Sequence, residues 1–488
     1  MHVKVAGYNI DADLLGRFKE ALQELSFRAG EEDFEVPGEI RNFWNSDNLT
    51  PETISAAYAR ISRYPESVGE LRKIAARSVA RARKSNQTIV YEYGHASVAE
   101  HAVFNIDITG ISRLAVETVE SRRLMSYTEK SQRYIALSGE YVVPEEFRNT
   151  SFEEKFRELG DGSFRVYQEF LEKIEKSSSG GDNGDEAKYL AREDARYLLP
   201  LAAGAQLGMT GNARNIEHLL RRTLKHPLKE LQDFGLKLKL EVEKIAPSLV
   251  RHLDDEQFDP EFLPQKYVGE VPAEEIELVE FDKNADRKTL AALMLSVEGI
   301  SWPEAMARSA AMSPDEKKSY LRDKLQALKV YHSLPRAFEN VNFGFQLNLS
   351  SSAYAQLKRH RLALQLPLPY DVRLGYTTPQ TVLDCGLEER FKERISVAEQ
   401  LYSKLLGEFP YQAPYALTNA HRRLVYFQAN ARELHHLARL RMDKHAQWDI
   451  RNVVTKMIGA AREKAPLTLA LACGKDKFDE IFGRFNAE

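Results

Sequence analysis

The sequence of 488 residues predicts an α+β protein made of two tandem, helix-rich units. Three observations support this prediction. A long internal repeat divides the chain into two halves, apolar residues recur at helical spacing over much of both halves, and short alternating stretches indicate strands. A repeat of this length indicates two structural units and excludes a solenoid, whose repeats are far shorter.

The repeat is visible in the spacing of matching residues. Ser121 corresponds to Arg359, an offset of 359 − 121 = 238 residues, whereas Asn-Ala-Arg at 212–214 recurs at 430–432, an offset of 430 − 212 = 218. A Ser- and Gly-rich insertion at 177–185, typical of a surface loop, accounts for most of the difference. We therefore expect a first domain over 1–253, an acidic, Pro-containing linker over 254–274, and a second domain over 275–488.

The first unit is predicted to combine one clear strand with several helices. Ser112 is a suitable N-cap for a helix that follows the strand, and Pro51 suits the first turn of another helix. The polar stretch 126–134 is expected to be a loop. The strand is predicted over 103–108, and helices over 14–25, from 51 onward, and over 68–84, 152–175, 185–199 and 212–249.

The second unit repeats this pattern. Pro367 and Pro369 are expected to end the helix that carries its basic motif. Strands are predicted over 276–281 and 341–349, and helices over 284–297, 314–328, 354–361, 389–407, 420–442 and 445–464.

The composition excludes several classes of protein. A hydrophobic content of 43% with 10% aromatic residues is globular, and a net charge of −4 argues against a general nucleic-acid binder. Cys385 and Cys473 cannot form a disulfide framework and have no metal-ligand spacing, so we expect a cytoplasmic protein with no metal. No secretory signal or membrane-spanning run is apparent, which predicts no membrane partner.

Two polar clusters stand out as candidate binding sites. Arg359, His360 and Arg361 are consecutive, and two guanidinium groups can hold a phosphate or a ring carbonyl in a bidentate manner. Ser131, Gln132 and Arg133 offer a hydroxyl, an amide and a guanidinium to an anion. On composition alone, a solvated basic helix end and an ordinary polar turn are the commoner interpretations.

Both clusters resemble the signature of the flavin-dependent thymidylate synthase (ThyX) family, which is Arg-His-Arg, seven residues and then Ser. The first copy has Ser at the end, Ser131, but Ser121-Arg122-Arg123 in place of Arg-His-Arg. The second copy has Arg-His-Arg intact at 359–361 but Pro369 in the Ser position. One copy thus keeps the anion-binding loop and the other the flavin cluster.

The resemblance implies two tandem domains, each helix-rich with a small antiparallel or mixed sheet. It also implies the conversion of dUMP to dTMP, with methylenetetrahydrofolate as one-carbon donor and with FAD, reduced by NADPH, as hydride source. The family is a homotetramer with active sites between subunits. We therefore expect a homodimer of this fused chain, with composite sites built from both copies and no nucleic-acid partner.

The resemblance also assigns roles to particular residues. Arg441 lies 441 − 430 = 11 places after Asn430, where the family has an Arg that grips and polarises uracil, and the first copy has Thr223 there. A helix-surface Arg paired with Asp443 or another acidic residue is the alternative for Arg441. Flavin contacts are expected from His95, Arg123, Arg359, His360, Arg361, Asn430, Arg432 and His436, and substrate contacts from Glu129, Ser131, Gln132, Arg133, Arg196, Gln356 and Arg441.

Two other functions stay open at the level of sequence. The departures from the family signature at Ser121, Arg122 and Pro369 suit a non-catalytic relative that binds a nucleotide or a partner protein. A flavoenzyme that methylates another uracil, such as one in RNA, is the second alternative. The acidic net charge argues against a large RNA-binding surface.

Overall fold

The computed structural model describes residues 1–28, 49–92, 95–178, 184–250, 253 and 266–487. The chain forms two compact units. Unit 1 comprises Met1–Ser131, Glu140–Thr150 and Ala202–Phe262, and unit 2 comprises Gln132–Gly139, Ser151–Leu201 and Leu263–Glu488. Unit 2 therefore includes two segments of the first sequence copy. The predicted linker over 254–274 and the insertion over 177–185 fall largely outside the described residues.

Each unit contains a four-stranded antiparallel sheet. The strands of unit 1 are β1 His2–Tyr8, β2 Val103–Ser112, β3 Ser126–Glu129 and β4 Gly204–Asn212, in the order β1-β2-β4-β3. Those of unit 2 are β5 Ile276–Phe281, β6 Asn342–Ser350, β7 Leu364–Pro367 and β8 Arg422–Asn430, in the order β5-β6-β8-β7. The identical order shows the duplication in the topology, and the prediction of two helix-rich α+β domains is confirmed.

Helices form most of both units. In unit 1 the α-helices are Ala12–Arg28, Glu52–Tyr58, Val68–Ala76, Val79–Asn86, Arg113–Val119, Ala213–Leu224 and Lys229–Glu243. In unit 2 they are Ser151–Ser178, Gly184–Ala195, Ala285–Glu298, Trp302–Ala311, Pro314–Leu325, Ser351–Leu357, Gln380–Asp384, Glu388–Leu405, Ala431–Arg441, Trp448–Lys464 and Phe478–Ala487. In the described part of the chain, no helix is both long enough and apolar enough to cross a membrane.

Polar side chains at the ends of four strands cap the helices that follow. The Ser112 side chain accepts a hydrogen bond from the backbone N–H of Ala115, which confirms the predicted N-cap, and Ser350 does the same for Ala353. Asn212 and Asn430 are the corresponding caps after β4 and β8. A strand that runs directly into a capped helix is thus repeated twice in each unit.

Several predicted element types were wrong where tertiary pairing overrides local pattern. The predicted helix over 420–442 begins with strand β8, which pairs with β6 and β7. Strand β4, which pairs with β2 and β3, was not predicted. The polar stretch from Ser126 contains β3, which pairs with β4. The helix predicted over 68–84 is two helices that meet at Ser78, whose side chain caps the second.

The pairing of β7 positions the basic motif of unit 2. The helix Ser351–Leu357 follows β6, and Leu364 of β7 pairs with Gln428 near the end of β8. The turn between that helix and β7 therefore lies close to the start of the helix Ala431–Arg441. Buried Phe343, Phe345 and Leu434 belong to the apolar core beneath these elements.

Candidate functional site

The motif Arg359-His360-Arg361 lies in a turn. The preceding helix ends at Leu357, so the predicted helix over 354–361 was wrong in its last residues. His360 is 3% exposed, whereas Arg359 is exposed and Arg361 is half-buried. Because a turn lets consecutive side chains diverge, the imidazole enters the protein while the Arg359 guanidinium extends outward.

Two hydrogen bonds hold the His360 imidazole. Arg441 Nε donates to His360 Nε2 at 3.0 Å, so Nε2 carries no proton. The neutral ring must then carry its proton on Nδ1, which lies 3.2 Å from Glu433 Oε1 and donates to it. Burial, together with the positive charges of Arg441 and Arg361, lowers the pKa of His360 to about 3. His360 is therefore a neutral imidazole with one fixed tautomer at physiological pH.

Arg441 ends the helix Ala431–Arg441 and is half-buried. Burial, together with the positive charges of Arg359 and Arg133, lowers the pKa of Arg441 to about 10. Within the residues that the structure describes, no carboxylate forms an ion pair with Arg441. Asp443 instead accepts a hydrogen bond from the backbone N–H of His445. The surface-pair alternative for Arg441 is thus excluded.

Residues of the first sequence copy meet those of the second inside unit 2. Arg133 forms an ion pair with Glu193 at 2.6 Å, lies beside the ring of Tyr189, and donates to the backbone oxygen of His445 at 3.3 Å. Asn419 Nδ2 donates both to the Gln132 side chain at 3.1 Å and to the backbone oxygen of Arg196 at 2.9 Å.

Arg196 is buried in a short 3₁₀ turn, Arg196–Leu198, and its Nε donates to the backbone oxygen of Glu193 at 3.0 Å. Gln356 is also buried, and its amide donates to Gln447 at 3.2 Å. Gln447 in turn donates to the hydroxyl of Tyr197 at 2.8 Å. Buried hydrogen bonds therefore connect Gln356 of the second copy to Tyr197 of the first, the residue that follows Arg196 in the chain.

A cavity of about 260 Å³ opens beside this cluster and contains the flavin-binding candidates Asn430, Arg432 and His436. Arg432 pairs with Glu339 at 2.8 Å and donates to the backbone oxygen of Leu334 at 2.8 Å. Other residues of the lining include Lys329, His332, Glu433, His435, Arg439, Cys473 and Lys475. The lining is rich in cationic and hydrogen-bonding groups, which suits an anionic, ring-containing ligand.

The remaining sequence candidates lie in unit 1. His95 is exposed with its Nε2 3.3 Å from Arg63, and Arg123 is exposed. Glu129 forms a buried ion pair with Arg113, whose pKa stays above its ordinary value because nearby carboxylates outweigh the effect of burial. Ser131 is the last residue of its segment in unit 1 and directly precedes Gln132 in the chain.

Unit 1 has a different set of side chains at the positions of His360, Glu433 and Arg441. With the offsets 360 − 122 = 238, 433 − 215 = 218 and 441 − 223 = 218, the counterparts are Arg122, Asn215 and Thr223. Thr223 is buried and donates to the backbone oxygen of Leu219 at 3.0 Å, and Asn215 donates to that of Leu124 at 3.1 Å.

Sequence reasoning missed Glu433, Glu193 and Tyr189. Glu433 stands three places after the Asn430 cap, and Glu193 three places before Arg196, so each lies next to a residue that was selected. An acidic residue one helical turn from a basic candidate was the available signal. It was weak, because most such pairs are ordinary surface ion pairs.

The fold and the site together define a duplicated α+β protein with a basic, partly buried site suited to anionic ligands. The family model described as thymidylate synthase complementing protein matches residues 46–248 and 277–467. The chain belongs to this family, that of the flavin-dependent thymidylate synthases, and carries its domain twice in tandem.

Some similar proteins match most of this chain, and others match less than half of it. A UPF0159 protein of Chlamydia muridarum is 27% identical over 407 residues, which are 76% of each chain. A UPF0159 protein of Thermoplasma acidophilum is 26% identical over 82% of this chain and 90% of its own length. A flavin-dependent thymidylate synthase of Clostridium tetani is 30% identical over 41% of this chain and 82% of its own length.

Among solved structures, a UMP/dUMP methylase from Streptomyces cacaoi bound with 5-Br dUMP is 20% identical. The match covers 41% of this chain and 95% of that chain, with a TM-score of 0.33.

Proposed function

We propose that this protein is a flavin-dependent thymidylate synthase, which converts dUMP to dTMP with methylenetetrahydrofolate as one-carbon donor, FAD as cofactor and NADPH as reductant. Membership of the family supports the reaction class. The catalytic site is built in unit 2 from the second sequence copy together with residues from 132 to 201 of the first. The family's tetramer corresponds to a homodimer of this chain in the cytoplasm.

One observation carries the proposal. Arg359 and Arg133 lie close enough to Arg441 for their positive charges to lower the pKa of Arg441. Like charges gathered in a half-buried place repel one another, and an anion bound among them relieves that repulsion. A nucleoside monophosphate supplies a dianionic phosphate and a ring that becomes electron-rich during reaction, so it fits such a cluster.

Different residues of unit 2 are suited to different parts of the nucleotide. Arg133, with Gln132 and Arg196 nearby, is suited to the phosphate and sugar, and Ser131 adjoins them in the chain. Arg441 is held at Nε by His360, which leaves its two terminal nitrogens to contact uracil oxygens. A guanidinium there stabilises negative charge that develops on the ring, and a preorganised donor of this kind typically contributes about 3 to 4 kcal/mol to the transition state.

The cavity beside the cluster fits part of a flavin cofactor. Asn430, Arg432 and His436 offer donors for ring carbonyls and for a pyrophosphate, and Arg439 and Lys475 add positive charge. Its volume of about 260 Å³ lies just below the usual range of about 300–1,000 Å³ for small-molecule sites, which suits one portion of FAD. When bound, FAD supplies the hydride chemistry, and this chain's residues hold and shield it.

Formation of dTMP from dUMP by the full-length chain, supplied with FAD, NADPH and methylenetetrahydrofolate, tests the proposal. We expect Arg441→Ala to abolish turnover while the melting temperature stays within a few degrees of that of the wild type. Arg484→Ala is the matched control, because Arg484 is an exposed helical Arg of unit 2 paired with Glu480. Unchanged turnover in Arg441→Ala would refute the assignment.

A non-catalytic, nucleotide-binding role is the alternative, and the residues of unit 1 favour it for that unit. Arg122, Asn215 and Thr223 replace the His, Glu and Arg of unit 2. A visible absorbance spectrum after incubation with FAD and desalting separates the two functions. A retained flavin spectrum that shifts on addition of dUMP supports the enzyme, and a colourless protein with no turnover supports the alternative.

A further inference from the structure

We propose that Glu433 is a positioning residue of the site in unit 2, which fixes the tautomer of His360 and through it the orientation of Arg441. The proposal deepens the proposed function, since it rests on Arg441 acting on the bound substrate. Glu433 also lines the cavity proposed for the flavin, and the role assigned to it here is exerted through His360. Its role is to keep one lone pair of the imidazole directed at the guanidinium.

The hydrogen-bond directions require this arrangement. Arg441 Nε carries a proton and can only donate, so His360 Nε2 must be an acceptor. The proton of the neutral ring then lies on Nδ1, where Glu433 Oε1 accepts it at 3.2 Å. In the opposite tautomer, two N–H groups would face each other at the Arg441 contact while the carboxylate faced a bare nitrogen lone pair.

Burial makes the choice of tautomer consequential. His360 is 3% and Glu433 5% exposed, so water does not readily replace a lost partner. Leaving a buried polar group without a partner costs more free energy than an ordinary exposed hydrogen bond contributes. The two bonds therefore reinforce each other, and loss of the Glu433 acceptor weakens the constraint on Arg441.

The backbone holds both partners in place. The Asn430 side chain caps the helix by accepting from the backbone N–H of Glu433 at 2.9 Å. Gln365 Nε2 donates to the backbone oxygen of His360 at 2.8 Å, and the His360 N–H donates to the Leu357 oxygen at 2.9 Å. These bonds fix the two backbone positions from which the imidazole and the carboxylate extend toward each other.

The duplication supplies an independent observation. At the corresponding positions unit 1 has Arg122, Asn215 and Thr223, so the imidazole, the carboxylate and the guanidinium are absent together. Arg432 already pairs with Glu339, as its counterpart Arg214 pairs with Glu100, so Glu433 is not needed to balance the charge of Arg432. His360, Glu433 and Arg441 thus occur together in unit 2 and are replaced together in unit 1, which is expected if they act together.

Magic-angle-spinning NMR of protein labelled with ¹⁵N-histidine tests the tautomer directly. The signal of His360, among 12 histidines, is identified by its loss in His360→Gln. We expect the Nδ1–H tautomer in the wild type and in Glu433→Gln, whose amide oxygen still accepts. We expect Glu433→Leu to populate the Nε2–H tautomer, because the imidazole, no longer held by the carboxylate at Nδ1, can turn away from the Arg441 Nε donor. An unchanged tautomer in Glu433→Leu overturns the proposal.

Steady-state kinetics of dTMP formation provide the second measurement. Misplacement of a catalytic group by about 1 Å costs on the order of 100-fold, so Glu433→Leu should lower kcat by about 10- to 100-fold, with a smaller change in KM for dUMP. Glu433→Gln should restore most of kcat. A rise in KM for dUMP with unchanged kcat in Glu433→Leu contradicts a positioning role. An equal loss of kcat in Glu433→Leu and Glu433→Gln contradicts it as well.

The two measurements separate this inference from the proposed function. If the tautomer shifts as expected but wild-type protein makes no dTMP, the proposed reaction fails and the tautomer control stands. If wild-type protein is active and the tautomer does not respond to Glu433, the positioning role fails and the proposed reaction stands.

Discussion

Several basic side chains of unit 2 lie in places where burial or nearby positive charge disfavours their protonated, charged forms. Arg441 is half-buried next to other cations, and His360 is buried and neutral between a carboxylate and a guanidinium. His435, on the same helix, is half-buried and lies 2.9 Å from the backbone oxygen of Thr468. Such arrangements destabilise the charged forms of these bases, and this has consequences that can be measured against pH.

Turnover is expected to fall at alkaline pH with a midpoint near 10, because Arg441 loses its proton and charge as the pH rises through its lowered pKa. Arg359 contributes to that lowering, so Arg359→Gln should move the midpoint to higher pH even as it weakens substrate binding. The pH profile of kcat/KM for dUMP, which reports the ionisation of the free enzyme, measures this. Arg484→Gln, an exposed control, should leave the midpoint where it is. A midpoint that does not respond to Arg359→Gln would contradict the charge coupling.

His435 is expected to destabilise the folded protein in acid. Burial lowers its pKa from 6.5 to about 4, so between these values the unfolded chain binds a proton that the folded chain does not. Stability therefore declines as the pH falls from 6.5 toward 4, by about 2–3 kcal/mol at pH 4.5 from this group alone.

The control is His435→Gln, whose amide can still donate to Thr468 but does not titrate. Urea denaturation at pH 7 and pH 4.5 should show a smaller acid loss of stability in His435→Gln than in the wild type. Equal losses in the two proteins would mean that His435 is not the group responsible.

At the scale of elements, each unit depends on junctions where a strand runs into a capped helix. Ser350 ends β6, caps the helix Ser351–Leu357 and donates to Asp449 Oδ2 at 2.5 Å, while Tyr197 donates to the same oxygen at 2.9 Å. Burial raises the pKa of Asp449 above its ordinary value. In unit 1 Ser112 is the corresponding cap and donates to Glu230. The cap thus also satisfies a buried carboxylate of a later helix.

Ser350→Ala should therefore cost more than an ordinary cap. Loss of the cap costs about 1 kcal/mol and loss of a partner for the buried carboxylate about 1–3 kcal/mol, so we expect a loss of about 2–4 kcal/mol. Thermal denaturation with Ser296→Ala as control tests this, since the exposed Ser296 donates only to a carbonyl of its own helix. A loss in Ser350→Ala as small as that of the control would exclude the shared network.

At the scale of the whole molecule, the compact units differ from the sequence copies. The helix Ser151–Ser178 belongs to the first copy but packs in unit 2, where Phe170 meets Phe391 and Phe152 meets Phe409. Arg394 donates to Ser163 at 3.2 Å and to the Leu159 oxygen at 2.7 Å. The second copy alone would expose the residues that this helix covers.

A fragment of residues 275–488 should therefore fail to fold cooperatively. Exposure of a buried Phe costs about 1.5–3 kcal/mol for each side chain, and several such residues of the helix Ser151–Ser178 pack in unit 2. Circular dichroism melting of this fragment should show no sharp transition. Co-expression with a 1–253 fragment should restore soluble protein. A fragment that melts sharply alone would show that unit 2 does not need the first copy.

Much of the architecture was predictable because it is encoded locally. The N-cap Ser112 and the strand over Ile276–Phe281 depend on residues a few places apart, and the sequence predicts both correctly. Strands β4 and β8 were missed because their conformation depends on pairing with strands on both sides, distant in sequence. The turn that contains His360 was taken for helix because its end is set by the return of the chain into β7.

The sequence by itself determined the tandem duplication, the family and the pairs of motifs that divide its signature between two copies. Only the tertiary structure decided which of those residues lie together. Arg133 and Arg441 are over three hundred positions apart, and Glu433 became a candidate only through its contact with His360 across 433 − 360 = 73 residues. The physical reason is that the chemistry of a site depends on the distances between its side chains and on their burial. Both are set by the tertiary fold, which the local sequence pattern does not encode.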